Sequence, residues 1–402
     1  MPSTWRATTK VAPGKWHRSR LGFTLVELLV AMAVVLLMVV VLASIVNQTS
    51  SIWRFTTGRI EEFRGARDGF EAMTRRLSQA TLDTFTDYVD ANGNPRFSAA
   101  TTGTFVPAQY ARVSSLRFIT GPSLSGSATS TPPRPTHSIF FQAPLGFVSD
   151  QTDFSGLENL LNTWGYYIEF NSNGSKGLSA NGSGLNIIPS FVNSPLRYRF
   201  RLMELMQPSE LQGLYYYTAR NISLTSAQPT GMNWFTDALA AVPAQYHVLA
   251  ENIVALVILP KLSPDDISQS GGSYTDSSLS PDYGYDSTLD YSPGAPNTTD
   301  PNLDTHAQLP PVVTVTMVAV DETSFKRFQG SSTACPASLL VNSTSSTPLF
   351  QVAGDTKNAA KPGFAQDLQT LQNNLQSGHL TYRVFTTDVS IKGAKWSRDQ
   401  TN

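Results

Sequence analysis

Residues 22–46 read GFTLVELLVAMAVVLLMVVVLASIV, and this stretch decides how the whole chain is organised. From Phe23 to Val46 its only charged residue is Glu27. A helix over these residues would be about 36 Å long, which is enough to cross the hydrocarbon core of a bilayer. A carboxylate in an apolar membrane helix costs about 2–3 kcal/mol, so Glu27 is a candidate functional residue.

The segment before Gly22 is basic and contains no acidic residue. Its cationic or titratable residues are Arg6, Lys10, Lys15, His17, Arg18 and Arg20. The positive-inside rule predicts that this end stays in the cytoplasm and that the long remainder crosses the membrane. A secretory signal peptide would have a shorter apolar core followed by a small-residue cleavage site, whereas here the small residue, Gly22, precedes the apolar run. The alternative is a plain signal anchor whose Glu27 reaches the headgroup region.

The run RLGFTLVELLVAM at residues 20–32 resembles the class III leader of type IV prepilins and type II secretion pseudopilins. The resemblance implies that a prepilin peptidase cuts between Gly22 and Phe23 and methylates the new amine of Phe23. It also implies that Glu27, at the fifth mature position, neutralises the N-terminal amine of a neighbouring pilin or pseudopilin during assembly. Two charges that are each costly in lipid become tolerable as a pair.

Residues 47–82 predict a continuation of the helix with one apolar stripe, because they lack proline and space apolar residues three and four apart. The stripe consists of Phe63, Ala66, Phe70, Met73, Leu77 and Ala80. Gly58, Gly65 and Gly69 each cost about 1 kcal/mol relative to alanine inside a helix, which indicates close packing or a bend. We expect the C-terminal half of the helix to pack on its own domain and the N-terminal half to pack against other subunits.

After residue 83 the pattern changes to short β-type runs separated by turn residues. The predicted strands are 115–119, 137–142, 165–171, 196–202, 252–260, 312–321 and 380–391, with a helix at 365–376. Few helices separate the strands, so an antiparallel sheet is favoured. The predicted fold class is α+β, with a long N-terminal transmembrane and amphipathic helix packed on an antiparallel β-sheet domain, as in pilins. The predicted divisions are a leader (1–22), a transmembrane half-helix (23–46), an amphipathic half-helix (47–82) and an extracytoplasmic domain (83–402).

Three stretches, 121–136, 171–189 and 263–309, are predicted loops because they are crowded with Ser, Gly, Pro, Asp and Asn. The last is an aspartate-rich insertion, for which a solvated, flexible segment is the main interpretation. Calcium binding is the alternative, although no twelve-residue EF-hand loop fits: residues 90–94 begin like one, but Pro95 replaces the glycine. We expect no other cofactor and no metal site.

Composition and motifs argue against an enzyme and against nucleic-acid binding. The net charge is −1, and without the leader 24 basic and 30 acidic residues remain, or −6. No nucleophile elbow, phosphate-binding glycine loop, zinc-protease helix or Cys-x-x-Cys pair is found. The single cysteine, Cys335, excludes an internal disulfide and is interpreted as a small buried or solvent-tolerated residue. The five histidines lack metal-ligand spacing, and we expect them to be surface or strand residues.

The resemblance extends beyond the leader. GFEAMTRRLSQATL at residues 69–82 is similar to minor pseudopilins of the J class. The stretches at 249–264, 280–287, 309–322 and 381–397 resemble the pilin-like protein C of Verru_Chthon cassettes. The resemblance implies a minor pseudopilin in the inner membrane, with its C-terminal domain in the periplasm, that assembles into a filament with other pilins at an assembly platform.

The main alternative is an anchored, non-polymerising binding module for a cell-surface, glycan or peptide partner. It would present either the aspartate-rich loop or the aromatic group formed by residues 215–217 and Trp234. Aromatic residues in a sheet domain belong to the core more often than to a binding groove.

Overall fold

The chain forms two compact units, Met1–Gly58 and Arg59–Asn402. The computed structural model describes residues 24–91, 105–148, 152–156, 160–172, 175–178, 184–186, 197–209, 234–240, 246–269, 271, 279–280, 282–289, 291–292, 295–296, 305–342, 346–351 and 363–394. At 54–62, 175–178, 184–186, 237, 240, 269, 291–292 and 295–296 it describes the backbone alone.

The described helices and strands are as follows. The helices are α1 (Leu25–Leu77), α2 (Trp234–Ala240), α3 (Pro264–Gln269), α4 (Glu322–Gln329) and α5 (Phe364–Ser377). The strands are β1 (Phe85–Val89), β2 (Gln109–Val113), β3 (Ile119–Pro122), β4 (His137–Ala143), β5 (Asn162–Ser172), β6 (Ser175–Leu178), β7 (Gly184–Asn186), β8 (Tyr198–Gln207), β9 (Tyr246–Glu251), β10 (Ile253–Lys261), β11 (Tyr285–Asp286), β12 (Tyr291–Ser292), β13 (Ala295–Pro296), β14 (Val312–Val320) and β15 (Tyr382–Ser390).

The larger sheet has six strands in the order β11-β3-β4-β5-β8-β9. Its central strands β4 and β5 are buried along their whole length because each face is covered by a different core. Alternate residues such as Phe141 and Tyr166 join the main core, whereas Phe140 and Tyr167 join a smaller core with Trp234 of α2. Strand side chains point to opposite faces in turn, so one strand can supply both cores.

The smaller sheet has three strands in the order β10-β14-β15, and one residue connects it to the larger sheet. Asn252 lies between β9 and β10 with a φ of 61°, a left-handed conformation that asparagine tolerates better than most residues. Its N–H donates to the carbonyl of Phe200 at 2.7 Å, and its carbonyl accepts from the N–H of Val320 at 2.9 Å. Asn252 therefore hydrogen-bonds to a strand of each sheet where the chain crosses between them.

The C-terminal part of α1 packs on both sheets through the predicted stripe. Ala66, Phe70, Met73 and Leu77 are all buried in the main core. The ring of Phe70 lies 5.9 Å from that of Phe385 on β15. Each large apolar side chain buried in this way contributes about 1.5–3 kcal/mol, so the stripe is sufficient to hold this segment on the domain.

The glycines of α1 have different surroundings. A Cβ on Gly69 would lie 3.1 Å from the Cβ of Ala250 on β9, so close packing is confirmed at this position. A Cβ on Gly65 would meet nothing within 4 Å. At the third glycine, Gly58, only the backbone is described, so the prediction for this position stays a prediction.

The predicted α+β fold with antiparallel strands is confirmed, and every strand pair among the described residues is antiparallel. The predicted strand at 115–119 is wrong in its position, because β3 begins only at Ile119. The amphipathic helix ends at Leu77, after which Thr81 forms a bridge to Gln142 of β4. The predicted helix at 365–376 is confirmed by α5.

The prediction of a wholly solvated loop at 263–309 is wrong for part of that stretch. Leu279, Tyr283 and Tyr285 are fully buried in the main core, and β11 adds to the edge of the six-stranded sheet. The reason is that this stretch contains leucine and tyrosine side chains among its aspartates, and these side chains are buried when they pack at the edge of the sheet. The predicted loop at 171–189 likewise contains a hairpin, β6-β7.

Candidate processing and assembly segment

Of the three predicted site residues, Glu27 is described, whereas Gly22 and Phe23 lie outside the described residues. Cleavage after Gly22 and methylation of Phe23 therefore stay predictions. The described segment begins at Thr24, and α1 begins at Leu25. Glu27 lies in the first turn of this helix.

Thr24 and Glu27 form a reciprocal cap at the start of α1. The N–H of Glu27 donates to Oγ1 of Thr24 at 3.3 Å, and the N–H of Thr24 donates to Oε2 of Glu27 at 3.4 Å. The hydroxyl of Thr24 also donates to Oε2 at 3.5 Å. These contacts are the capping box of a Thr-x-x-Glu sequence, which pairs two N–H groups that the helix itself cannot satisfy. The carboxylate also lies at the positive end of the helix dipole.

Residues from Thr24 to Trp53 are all exposed, although most are apolar. Leu25 is 78% exposed and Trp53 is 73% exposed. Leu25–Trp53 is long and apolar enough to cross a membrane, with 29 residues. Because a helix satisfies its own backbone hydrogen bonds, such a segment can lie in lipid without unpaired polar groups. Its side chains would then pack against lipid or against other apolar helices.

Residues 17–43 match the family model described as the prokaryotic N-terminal methylation motif. The match supports a type IV pilin-like prepilin. It covers Gly22, Phe23 and Glu27, and it ends within the apolar helix. A search of the curated proteins found no match, and a search of the solved structures found none.

The motif and the apolar helix together support a membrane-anchored protein of the pilin or pseudopilin type. The motif implies processing by a prepilin peptidase and association with other pilins. Pilin-type subunits are generally non-enzymatic. The α+β arrangement of the domain is consistent with a pilin-like fold.

A polar cluster fixes the C-terminal end of α1 to the six-stranded sheet. Glu204 on β8 is almost fully buried and forms an ion pair with Arg76 of α1. The hydroxyl of Tyr166 donates to its Oε1 at 2.7 Å, and Nε2 of His247 lies 2.8 Å from its Oε2. The guanidinium of Arg76 also lies 4.6 Å from the centre of the Trp164 ring.

The contacts of Glu204 determine its charge state. Burial would raise the pKa of its carboxyl, but the hydrogen bonds from His247 and Tyr166 and the charge of Arg76 together lower that pKa below its ordinary value. The carboxylate is therefore ionised at neutral pH and holds α1 by charge and by hydrogen bonds. Arg76 therefore adds a polar contact with the sheet to the apolar contacts of the α1 stripe.

The remaining candidates are structural residues. Trp234 is fully buried, so its core interpretation is confirmed, whereas residues 215–217 lie outside the described residues. Cys335 is half-buried and free, and burial raises the pKa of its thiol to about 12, which is typical of an inert cysteine. Among the described residues, no group of three His, Cys, Asp or Glu is placed to hold a metal ion.

Proposed function

We propose that the chain is a minor pseudopilin-type subunit of a type II secretion or type IV pilus-like filament. A prepilin peptidase removes residues 1–22 and methylates Phe23, and the mature helix then joins other subunits at an inner-membrane assembly platform. The domain from residue 83 onward lies in the periplasm. The proposal rests mainly on the combination of the methylation motif with an exposed apolar helix whose one charged residue up to Trp53 is Glu27.

The geometry of the cap supports a role for Glu27 in assembly. All hydrogen bonds from Thr24 go to Oε2, which leaves Oε1 for a second partner. The ammonium of Phe23 in a neighbouring mature subunit is such a partner, because a cation and an anion in lipid are each less costly when paired. The cap restricts the rotation of the carboxylate and so prepares it for that contact.

Membership of the Verru_Chthon protein C family is the finer form of the proposal. The stretches that carry this resemblance include β10, β14 and β15, which form the whole three-stranded sheet. They also include residues 280–287, which contain the buried Tyr283 and Tyr285. The resemblance therefore lies largely in strands of the three-stranded sheet and in buried aromatic residues.

Processing is tested by mass spectrometry of the N terminus of the native protein. We expect a chain that starts at N-methylated Phe23, and we expect a Gly22→Leu variant to keep its leader, because the peptidase must fit closely around a residue without a Cβ. Gly14→Leu is the matched control, since it makes the same change inside the leader, and it should be processed normally. Normal maturation of Gly22→Leu would show that the class III assignment is wrong.

Assembly is tested by crosslinking cysteines placed on the exposed helix, for example at Met32, in a Cys335→Ser background. Glu27→Gln keeps a capping oxygen and removes the charge, whereas Glu27→Val removes both. We expect both variants to insert and to be cleaved, and both to lose crosslinks to partner subunits. Equal crosslinking of all three proteins would exclude the assembly role of Glu27 and would favour an anchored module that does not polymerise.

A further inference from the structure

His137 is a fully buried histidine that joins both sheets and a turn. It is the first residue of β4, and its side chain lies against β10 and the turn at 346–351. Its Nδ1 accepts the N–H of Ile258 at 3.0 Å. The proton of the neutral ring must then be on Nε2, which lies 2.8 Å from the carbonyl of Phe350 and donates to it.

Protonation would disturb this arrangement. The carbonyl of Ile258 is 3.2 Å from Nδ1, so a proton on Nδ1 could be accepted there, but the N–H of Ile258 would lose its acceptor. The ring would also carry a positive charge in the core. Burial lowers the pKa of His137 to about 4, against the raising effect of the bonds with Phe350 and Ile258.

Two aromatic residues that cover His137 have left-handed backbone conformations. Tyr283 has a φ of 59° and Phe350 a φ of 60°, which bulky residues rarely adopt. The ring of Tyr283 lies edge-on to the imidazole at 4.8 Å, and its hydroxyl is buried without a hydrogen-bond partner among the described residues. Such conformations persist only where the surrounding contacts hold them, and the imidazole supplies one contact to each residue.

Within the described part of the chain, no carboxylate lies beside His137 to compensate a proton on its ring. The titratable groups on the elements packed against it are Asp282, Tyr283, Tyr285, Asp286, Lys261 and Asp367. Asp286 is paired with Arg117 at 3.0 Å, and Lys261 ends β10 three residues beyond Ile258. Asp367 of α5 accepts the N–H of Phe350 at 2.8 Å and therefore acts on the same turn.

We propose that His137 is an acid-sensitive latch, whose protonation releases the stretch around Tyr283 (279–280 and 282–284) and the turn at 346–351 from the two sheets while both sheets, β11 included, stay folded. These two stretches are the cover segments. The neutral imidazole binds the turn of Phe350 directly and supports Tyr283 by ring contact, so the cover segments open together. The latch belongs to the domain itself and does not depend on filament assembly.

The test is hydrogen exchange of the full-length protein in detergent, followed by mass spectrometry at pH 7.5 and pH 5. Exchange rates are corrected for the intrinsic effect of pH. With a pKa of about 4 in the closed state and about 6.5 in the open state, opening should increase about 30-fold over this range. The increase should be confined to peptides from the cover segments, and peptides from β5 and β14 should stay protected.

Three variants test whether His137 itself senses the acid. His137→Gln can accept from Ile258 and donate to Phe350 without titrating, so its cover segments should respond little to acid. His247→Gln, at a half-exposed histidine elsewhere on the sheet, should respond like the wild type. Asp367→Asn should also keep the response, since its side chain can still accept the N–H of Phe350.

Several results would overturn the proposal. His137 would not be the sensor if the cover segments of His137→Gln still opened in acid. The same would follow if Asp367→Asn lost the acid response while His137→Gln kept it. If His137→Gln does not fold, the exchange pattern of the wild type at pH 7.5 and pH 5 is the test. Acid-induced exchange that is uniform over the domain, or absent from the cover segments, would mean that there is no local latch.

Discussion

Gly65 and Gly69 lie one turn apart on α1 and offer a matched pair for measuring how closely the helix is docked. A Cβ on Gly65 meets nothing within 4 Å. A Cβ on Gly69 lies 3.1 Å from the Cβ of Ala250 and 3.6 Å from Cγ of Leu249. The same substitution therefore adds a methyl group to open space at one position and to a packed contact at the other.

Gly65→Ala should stabilise the protein, whereas Gly69→Ala should not. Replacing glycine by alanine inside a helix gains about 1 kcal/mol, and Gly65→Ala should keep this gain. Gly69→Ala gains the same amount, but it must push α1 away from β9, and overpacking of this kind costs about 1–3 kcal/mol. The expected net effect at Gly69 runs from about zero to about 2 kcal/mol of destabilisation. Gly69→Leu should destabilise further, whereas Gly65→Leu should behave like Gly65→Ala.

The measurement is thermal unfolding of the full-length protein in detergent, followed by near-UV circular dichroism. This signal reports buried aromatic residues such as Trp164 and Trp234. At about 2–4 °C per kcal/mol, Gly65→Ala should raise Tm by about 2–4 °C. Equal stabilisation by Gly65→Ala and Gly69→Ala would refute the close contact between α1 and β9.

Three other perturbations test the remaining contacts. Thr24→Val keeps the shape of the side chain but removes the capping oxygen, so it should cost about 1 kcal/mol and speed hydrogen exchange in the first turn of α1. Glu204→Gln leaves Arg76 without its counter-charge and should destabilise the domain by about 1–3 kcal/mol in urea unfolding at pH 7. Because the folded pKa of Glu204 lies below its ordinary value, the stability due to its charge is present above about pH 4.5, and it is lost as pH falls through the folded pKa. The wild type should therefore lose more stability than Glu204→Gln as pH falls from 5 to 3. Cys335 should resist iodoacetamide at pH 8 in the native protein and react in urea, because burial raises the pKa of its thiol to about 12.

Periodic patterns in the sequence predicted the elements whose packing is local. The stripe from Ala66 to Leu77 and the leucines of α5 both follow the helical period, and the stripe is buried together with Leu371 and Leu375. The sequence also predicted strands rich in β-branched residues, such as β14. Such elements can be predicted from their own residues because composition or a repeating apolar pattern marks them.

Local sequence patterns did not predict the strands that are stabilised mainly by pairing with other strands. The second half of β8 reads LMELMQ, which has helical preferences, yet β8 pairs with β5 over its whole length from Tyr198 to Gln207. The strands β1, β2 and β9 mix polar and apolar residues, so no alternation marks them, although β1 pairs with β2 and β9 pairs with β8. Gly165 shows the same limit: a Cβ there would lie 2.3 Å from the ring of Phe140, its cross-strand partner, which no local pattern indicates.

In the candidate site, too, local contacts could be predicted from the sequence and long-range contacts could not. The Thr-x-x-Glu capping box is a local pattern, and it could have been identified from residues 24–27 alone. The ion pair between Arg76 and Glu204 joins residues 128 positions apart, and the charged face of α1 gives no sign of which arginine contacts the sheet. The contacts of His137 with Ile258 and Phe350 are of this second kind.

The cap also changes what a mutation of Glu27 measures. A capping box accepts glutamine as well as glutamate, so the local role of this residue needs an oxygen but not a charge. The helix dipole favours a charge only weakly, by about 0.3–1 kcal/mol. An ammonium in lipid, in contrast, needs the charge itself. The difference between wild type and Glu27→Gln therefore reports pairing between subunits, whereas the difference between Glu27→Gln and Glu27→Val reports the cap. If Thr24→Val reduces crosslinking as much as Glu27→Gln does, the orientation of the carboxylate by the cap is itself required for assembly.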